Sequence, residues 1–365
     1  MIAIIGGLFG DEGKGKTVSS LALNYKNPII IRFNGGQQAG HRVVLKNGLS
    51  HIFSNFGSAT FQNIPTYWLK YCTFDPVATL KELIKLKKVC EPKLFIDDDC
   101  PVTTPYDQLA NIENEKKNSH GTCGYGVGQT HQREYDFYHL KVRDLKYPFI
   151  FREKLELIKK YYNKFSVDNE EYINKCNKLF DFTNNIIPVK NNFANLLKYD
   201  QFIFEGSQGL LLDQNYGFFP HVTRSNTGTK NISENFNYKG IETYIVIRAY
   251  LTRHGNGPMP NEEYDNWIPN NPYEHNKYGI QGPFKKTILD LNLLKYAIES
   301  DTSIGEKTLV ITCLDVLKDY GFMLNNKIYY FKNKYFFIDK ILNYLDIKNC
   351  LISESPITGE YSVFN

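Results

Sequence analysis

The chain has 365 residues and a formal net charge of +4. That length allows a large core, and the small charge, spread along the chain, argues against a nucleic-acid groove or a membrane surface. No apolar run approaches the roughly 18 residues that a spanning helix needs. The seven cysteines show no CxxC spacing, which favours reduced thiols over disulfides or a zinc site. We therefore expect a cytoplasmic protein without nucleic-acid or membrane partners.

Short apolar segments along the chain predict buried strands. Their near-continuous apolarity is typical of strands covered on both faces, as in parallel sheets. In chain order they are MIAIIGG, NPIIIRFN, PKLFIDDD, DQFIFEG, TYIVIRAYLT and KTLVITCLD.

Helices are predicted between these strands. The clearest one follows Asp75, a suitable N-cap, and has Pro76 in its first turn. A second helix is expected from Asp290 onward. This alternation predicts an α/β fold with a mainly parallel central sheet flanked by helices. Residues 144–190 lack regular strand patterns, so we expect a mostly helical insertion in a single domain that spans 1–365.

Polar or glycine-rich sequences follow five of the predicted strands directly. They are GDEGKGKT, NGGQQAGH, EGSQG, TRHGNGP and LD. In open parallel sheets, ligands bind beyond the carboxyl ends of the strands. The five sequences therefore predict one shared site.

The first of these sequences, from Gly10 to Thr17, matches the phosphate-binding pattern GxxxxGK[ST] between a strand and a helix. The alternative is a glycine-rich turn with a purely structural role. Asp11 and Glu12 are unusual inside such a loop, because a carboxylate near a triphosphate is repelled unless a metal or a protonated base lies between them. Asp11 could therefore hold Mg²⁺ or act as a base.

Other polar residues suggest further contacts at the same site. His41 follows a glycine-rich turn at a strand end, which favours a catalytic role over a structural one. A glycine-rich stretch with Thr122 and Arg133 could bind a second phosphate. Residues able to bind a base or phosphate in the stretch FEGSQGLLLDQNYGFFPHVTRSNTGT are Glu205, Gln208, Thr223 and Asn226.

The motifs GDEGKGK, AGH, FEGSQGLLLD, HVTRSNT, TRHGNGP and LDVL, in this order, resemble the adenylosuccinate synthetase family. The resemblance covers essentially the whole chain, whose length is closest to the compact archaeal and viral members. It implies a P-loop-like α/β ligase that joins aspartate to IMP using GTP and Mg²⁺. It also implies a homodimer in which an arginine reaches the IMP phosphate of the other subunit, with Arg133 as the candidate here.

The resemblance also assigns roles to individual residues. Asp11 resembles the base that removes the purine N1 proton, and His41 the acid that assists phosphoryl transfer. Asp11 and the Gly40 carbonyl would hold Mg²⁺. Triphosphate contacts are implied for Gly10, Glu12, Gly13, Lys14, Gly15, Lys16, Thr17, Arg42, Cys313, Asp315, Ser353, Ser355 and Pro356. Purine monophosphate contacts are implied for Asp11, Gln38, Ala39, Thr122, Cys123, Arg133, Gln208 and Thr223.

The chain departs from the family pattern at several of these positions. Gln38 replaces an asparagine and Cys123 a threonine. Cys313 replaces the lysine that lies over guanine, which leaves ATP as an alternative to GTP. The family's arginine-rich loop for aspartate is reduced here to Lys285, Lys286 and Thr287. Lysine cannot reproduce a bidentate arginine fork, so another amino donor remains an alternative.

Two other functions compete with the IMP ligase. Phage relatives make 2-aminoadenylosuccinate from dGMP and share a phenylalanine at the position of Phe9. Their specialised members replace the catalytic aspartate with a small residue, so the retained Asp11 favours IMP. A plain NTPase or nucleotide-binding switch would use the first loop without ligation, but it leaves the AGH and EGSQG motifs unexplained.

Overall fold

A computed structural model describes residues 1–119, 121–190, 196–238, 240–269 and 281–364. In chain order the strands are β1 Ile2–Gly6, β2 Pro28–Arg32, β3 His41–Val44, β4 Ser50–Phe53, β5 Thr66–Trp68, β6 Leu94–Asp97, β7 Ile186–Val189, β8 Gln201–Gly209, β9 Ile241–Arg248, β10 Leu251–His254, β11 Phe284–Thr287, β12 Leu289–Asp290, β13 Ile304–Thr312, β14 Tyr320–Leu324, β15 Lys327–Phe331, β16 Asn349–Ile352 and β17 Ser362–Phe364. The helices are α1 Lys14–Ala22, α2 Pro76–Leu86, α3 Pro105–Asn118, α4 Val127–Tyr135, α5 Pro148–Tyr162, α6 Asn169–Phe180, α7 Lys230–Phe236, α8 Leu291–Ser300 and α9 Lys334–Leu345.

Ten strands form the central sheet, in the order β17-β16-β13-β9-β1-β8-β2-β5-β6-β7. Every neighbouring pair is parallel except β16 and β17. The predicted α/β fold with a mainly parallel sheet is confirmed, and the six predicted segments supply β1, β2, β6, β8, β9 and β13 of this sheet. The segment TYIVIRAYLT continues beyond β9 into β10, which lies outside the sheet. Smaller units lie outside it: the β3–β4 and β10–β11 ribbons and the three-stranded sheet β12-β14-β15.

Both faces of the sheet are covered, as the apolar strand segments predicted. In β1, Ile2 and Ile4 pack with Val18 of α1, whereas Ala3 and Ile5 belong to the larger cluster on the opposite face. Successive side chains of a strand point to opposite faces, so a strand covered on both sides needs apolar residues at every position. This burial fixes β1, and with it the start of the first loop.

The two predicted helix starts are confirmed. The Asp75 carboxylate accepts a hydrogen bond from the backbone N–H of Ala78 at 2.9 Å, and Pro76 occupies the first helical turn of α2. Asp290 caps α8 in the same way, through the N–H of Leu293 at 2.9 Å. Each cap satisfies one N–H that the helix itself leaves unpaired.

The expected insertion at 144–190 contains α5 and α6, but its last residues return to the sheet as β7. This strand pairs with β6 in parallel and forms one edge of the central sheet. Pro188 is compatible with an edge strand, where one side makes no ladder hydrogen bonds. The strand is four residues long and contains a proline, which is why its pattern was not distinctive. None of the helices among the described residues is long and apolar enough to cross a membrane.

Candidate active site

Five consecutive strands of the sheet, β13, β9, β1, β8 and β2, lead to the five polar or glycine-rich sequences. Two of these sequences do not follow a strand directly as predicted: EGSQG forms the last five residues of β8, and TRHGNGP begins within β10. These strands are mutually parallel, so their carboxyl ends lie at one edge of the sheet. The order reverses around β1, since the chain extends the sheet on one side of it through β2, β5, β6 and β7 and on the other side through β9, β13 and β16. Such an edge is where open α/β sheets bind ligands.

The loop between β1 and α1 has an unusual backbone. Gly10, Asp11 and Gly13 all have positive φ, of 92°, 58° and 100°. Gly13 forms the N-cap of α1, and a Cβ there would lie 3.2 Å from the Thr312 side chain at the end of β13. A loop of this kind directs backbone amides and a helix N-terminus toward the same space, which favours a bound anion.

The two carboxylates of this loop face in different directions. Glu12 is buried, and its carboxylate accepts hydrogen bonds from the N–H groups of Leu8 and Gly10 at 3.1 and 2.7 Å. Lys14 donates to it at 2.9 Å. Glu12 therefore shapes the loop and neutralises Lys14, and neither side chain is free to contact a nucleotide in this arrangement. This differs from the expectation for Glu12, because the loop's own donors satisfy its charge.

Asp11 instead presents its carboxylate outward, with 44% of the side chain exposed. Its Oδ2 lies 2.5 Å from Nε2 of His254, and its backbone oxygen accepts a hydrogen bond from Nε of Arg248 at 2.6 Å. Burial would raise the pKa of Asp11, but His254 and the charges of Arg248 and Lys14 outweigh it and lower that pKa. Asp11 is therefore ionised at neutral pH, as a base must be.

His41 and Glu205 form a buried pair beside the same loop. His41 Nδ1 contacts Oε1 of Glu205, and Ser58 binds this carboxylate through its hydroxyl and its N–H, the latter at 3.0 Å. Burial lowers the pKa of His41 more than Glu205 raises it. Burial raises the pKa of Glu205, but the opposing interactions with His41, Arg32 and Ser58 prevail and lower it to about 2. His41 is thus neutral, donates through Nδ1 and presents Nε2.

The loop after β2 approaches α1 closely. A Cβ on Gly15 would lie 2.7 Å from Cβ of His41, so only glycine allows this contact. Gly40 is exposed and Ala39 is buried, while the side-chain amide of Gln38 is buried without a hydrogen-bond partner among the described residues. Such an amide is suited to bind a ligand. Arg42, half-buried, follows His41 on β3.

The C-terminal segment closes over α1. Nζ of Lys16 contacts Oγ of Ser353, the backbone oxygen of Ser355 and that of Glu360, the last at 2.9 Å. The hydroxyl groups of Thr17 and Tyr361 lie 2.9 Å apart. The structure thus brings Lys16 and Thr17 together with the predicted base-flanking residues, although the two segments are far apart in the chain.

Residues that follow β13 lie on the same side of the site as Lys16 and the C-terminal segment. Cys313 has a positive φ of 59° and is half-buried. Asp315 is exposed, and its carboxylate accepts no hydrogen bond from the described part of the chain. Pro356 is half-buried in the C-terminal segment. An exposed carboxylate beside Lys16 could accept hydrogen bonds from a purine edge.

In the stretch from Gly121 to Arg133, some side chains have internal partners and others line a groove. Thr122 is held by Glu115 and Asn111, and Cys123 lines a groove of about 790 Å³ with Gln37 and other residues. Arg133 is fully buried and donates to the carboxylate of Asp107 at 2.9 Å and to two backbone oxygens. A contact to a phosphate or to another subunit would break these bonds, so the structure does not bring Arg133 to the site.

Gln208 and Thr223 occupy the other side of the first loop. Gln208, the last residue but one of β8, has a positive φ of 68°, and its backbone lies 3.8 Å from the Cβ position of Gly10. Thr223 is half-buried, and its N–H donates to the backbone oxygen of Leu212 at 2.8 Å. Both side chains remain available for a ligand.

The three candidate amino-acid-binding residues belong to β11. Thr287 is fully buried and donates to the backbone oxygen of Asn261, which removes it from a ligand-binding role. In the β10–β11 register Lys285 pairs with Arg253, whereas His254 pairs with Phe284. Alternation therefore places Lys286, and not Lys285, on the His254 face of the ribbon.

Two residues of this site received no specific role from the sequence. Glu205 was noted only as a ligand contact, although a carboxylate within a buried strand requires an internal partner, which is His41. His254 stands in the TRHGNGP motif, but nothing local indicated that it would contact Asp11.

A family model described as adenylosuccinate synthetase matches residues 3–334 of the chain. The chain belongs to this family. Adenylosuccinate synthetases are ligases that form a carbon–nitrogen bond, and the chain is a ligase of this type. The enzyme from Hydrogenobaculum sp. (strain Y04AAS1) is 31% identical over 339 residues, which cover 87% of this chain and 79% of the relative. The one from Mesoplasma florum is 33% identical over 340 residues, which cover 87% and 77%.

Two solved structures share the fold. The fully ligated Plasmodium falciparum enzyme superposes with a TM-score of 0.82 at 20% identity, over 100% of this chain and 99% of that one. The cyanophage S-2L succinoaminodeoxyadenylate synthetase, bound to dGMP and dATP, superposes with a TM-score of 0.67 at 13% identity, over 100% and 95%. The match to the family model ends at residue 334, so the C-terminal segment over α1 is supported by the structural comparison alone.

Proposed function

We propose that this ligase joins L-aspartate to IMP with GTP as phosphoryl donor and releases adenylosuccinate, GDP and phosphate. The observation that carries the proposal is the arrangement of an outward, ionised Asp11 and a buried His41–Glu205 pair around one phosphate-binding loop. A plain NTPase needs no base directed at a second substrate. We also propose that 1–365 is a single domain, because the central sheet draws strands from both ends of the chain.

Asp11 would begin the reaction as a general base. It takes the proton from purine N1, so that the electron pair moves to O6 and this oxygen attacks the γ-phosphorus of the triphosphate. GDP leaves and a 6-phosphoryl purine remains. The aspartate amine then attacks C6 and loses a proton, and the O6–C6 bond breaks as phosphate departs with O6. A correctly placed base typically contributes about 10²–10⁴-fold to such a step.

His41 would stabilise the transferring phosphoryl group. The charge of the phosphates raises the pKa of a nearby imidazole, so His41 takes up a proton as the triphosphate binds and then donates through Nε2. Glu205 holds Nδ1 and so fixes which nitrogen faces the substrate. The amides of Gly13 and Gly15 and the charge of Lys16 would position the phosphates, whereas the charge of Lys14 is taken up by Glu12.

Mg²⁺ fits this donor set. The described residues contain no cluster of three histidine, cysteine or carboxylate side chains that could hold a metal alone. Mg²⁺ commonly uses one or two protein oxygens together with substrate phosphates. Asp11 and the exposed Gly40 carbonyl would supply them, and the bound ion would neutralise charge between the phosphates and O6.

The choice between GTP and ATP as phosphoryl donor depends on the side of the site near Asp315. Its carboxylate accepts hydrogen bonds, so it would pair with the N1–H and 2-amino groups of guanine, which adenine does not offer in that form. We therefore propose GTP, with ATP as the alternative that the Cys313 substitution leaves open. Ser353, Ser355 and Pro356 would flank the base.

Nucleotide affinity should fall as pH rises above about 8. Burial lowers the pKa of Lys16 to about 8, although Glu360 and Asp315 act in the opposite direction. Lys16 is therefore charged below this pH and attracts the phosphates, and it loses that charge above it. We expect the Kd for GTP to rise up to about tenfold per pH unit between 8 and 9. Lys16→Arg, which stays charged, should show a flatter profile, and equal profiles would contradict the assignment.

Binding of the amino donor should depend on Lys286, whose ammonium donates to the backbone oxygen of Ile268 at 2.8 Å and, with three donor hydrogens, can also donate to a carboxylate. We expect Lys286→Met to raise the KM for aspartate roughly 10–100-fold, because a hydrogen bond to a charged group contributes about 1.5–3 kcal/mol. Lys285→Met is the matched control. Lys285 lies on the opposite face and donates to Glu262 at 2.6 Å, so its loss should leave the KM for aspartate unchanged. The reverse ranking of the two variants would show that the donor binds elsewhere.

We further propose a homodimer. Large apolar side chains are exposed between residues 135 and 150, including Phe137 at 83% and Phe149 at 72%. Such exposure typically marks an interaction site. A second copy of the chain is the proposed occupant, and light scattering on the wild type and on Phe149→Glu would test it. Arg133 would not reach that partner, since its bonds are internal.

The function is tested by a grid of assays with purified protein and Mg²⁺. IMP or dGMP is combined with GTP or ATP, with and without aspartate, and products are identified by mass. We expect aspartate-dependent adenylosuccinate from IMP and GTP. An aspartate-dependent product from dGMP but not from IMP would assign the phage-type reaction. Phosphate release at the same rate with and without a purine monophosphate would assign a plain NTPase.

A further inference from the structure

His254 is the last residue of β10, and the β10–β11 ribbon holds its ring. The register pairs His254 with Phe284, and the two ring centroids lie 4.7 Å apart. Only 14% of the His254 side chain is exposed. The imidazole is therefore placed by a strand and an aromatic neighbour, independently of the loop that it contacts.

The group that it contacts is otherwise poorly restrained. Nε2 of His254 lies 2.5 Å from Oδ2 of Asp11. Arg248 fixes the backbone oxygen of Asp11, and within the described residues the His254 imidazole is the one group in contact with the carboxylate, as a close N–O pair and not as an aligned hydrogen bond. A half-exposed aspartate without such a contact would sample several rotamers.

A base must be oriented as well as ionised. Proton transfer needs the acceptor oxygen within about 2.6–3.2 Å of the proton donor, and misplacement by about 1 Å can cost roughly 10²-fold in rate. The His254 contact occupies Oδ2 and leaves Oδ1 for ligands. Backbone and carboxylate of Asp11 are thus held by two different strands, β9 and β10.

We infer that His254 is a positioning residue, which holds the Asp11 carboxylate in the orientation that lets it act on the purine. The inference rests on the proposed ligase function. It adds a residue that neither the phosphate-binding pattern nor the paired His41 and Glu205 requires. Because β11 also carries Lys286 on the same face, the ribbon would place the base and the amino-donor side together.

The kinetic test compares His254→Phe with His254→Gln. Phenylalanine keeps the ring against Phe284 and removes the nitrogen, so kcat should fall about 10–100-fold while the KM for IMP and GTP stays the same. Glutamine restores an N–H donor and should recover much of kcat. In an Asp11→Asn background, His254→Phe should cause no further loss. Full kcat in His254→Phe, or an equal additional loss in the Asp11→Asn background, would overturn the inference.

A second measurement needs no catalysis. In protein labelled with ¹⁵N at histidine, the imidazole signal that is missing from His254→Phe should move when Asp11 becomes asparagine. Thermal melts would establish that both variants are folded. An unmoved signal would overturn the contact even if the wild type proved inactive as a ligase, which separates failure of this inference from failure of the proposed function.

Discussion

Asp11→Asn will abolish ligation while the affinity for the triphosphate is retained. Asparagine has the same shape but cannot accept the N1 proton, so kcat should fall by about 10²–10⁴-fold. The loop itself should persist, because its hydrogen bonds come from Glu12 and from the backbone oxygen of residue 11. Steady-state assays and titration with GTP measure the two effects separately.

A matched control exists for this substitution. Asp99 is 45% exposed and contacts Arg143, away from the first loop, so Asp99→Asn should leave kcat unchanged. If Asp11→Asn retained full activity, the proposed base would be wrong. Because Asp11 would also hold Mg²⁺, the titration with GTP is made without the ion; a loss of GTP binding there would mean that the carboxylate serves the triphosphate and not the purine.

His41→Asn will reduce kcat by about 10²–10⁴-fold, with a smaller effect on the KM for either nucleotide. The asparagine amide can still donate to Glu205 from near the position of Nδ1, but it does not reach the transferring phosphoryl group. The expected loss therefore belongs to the transition state. Rapid-quench measurements with labelled GTP would show it in the phosphoryl transfer step.

Glu205 and a surface histidine complete this test. Glu205→Gln keeps a hydrogen-bond acceptor for Nδ1 but removes the charge, so its loss should be smaller than that of His41→Asn. His139, 45% exposed and paired with Glu134, is the matched control, and His139→Asn should behave as the wild type. Wild-type phosphoryl transfer in His41→Asn would remove this residue from the mechanism.

The sequence predicted the parts of the fold that local pattern determines. Continuous apolar runs identified β1, β2, β6, β8, β9 and β13, and the caps at Asp75 and Asp290 identified two helix starts. The strand β7 was not predicted, since four residues with a proline carry little pattern. Its pairing with β6 depends on tertiary contacts.

Side-chain direction within the site was harder to predict. The sequence places Asp11 and Glu12 side by side, but the positive φ at Asp11 sends one carboxylate outward and the other inward. Arg133 was predicted to bind a phosphate, but its guanidinium donates to the buried carboxylate of Asp107. The contact of His254 with Asp11 joins distant parts of the chain, so no local pattern encodes it.

The proposed reaction is tested most directly by following the oxygen on C6 of the purine. IMP labelled with ¹⁸O at position 6 is turned over with GTP, aspartate and Mg²⁺, and the released phosphate is analysed by mass. Because O6 attacks the γ-phosphorus and leaves C6 with it, one ¹⁸O should appear in each phosphate. Phosphate that instead carries oxygen from the solvent would mean that water attacks the triphosphate, and it would contradict the account.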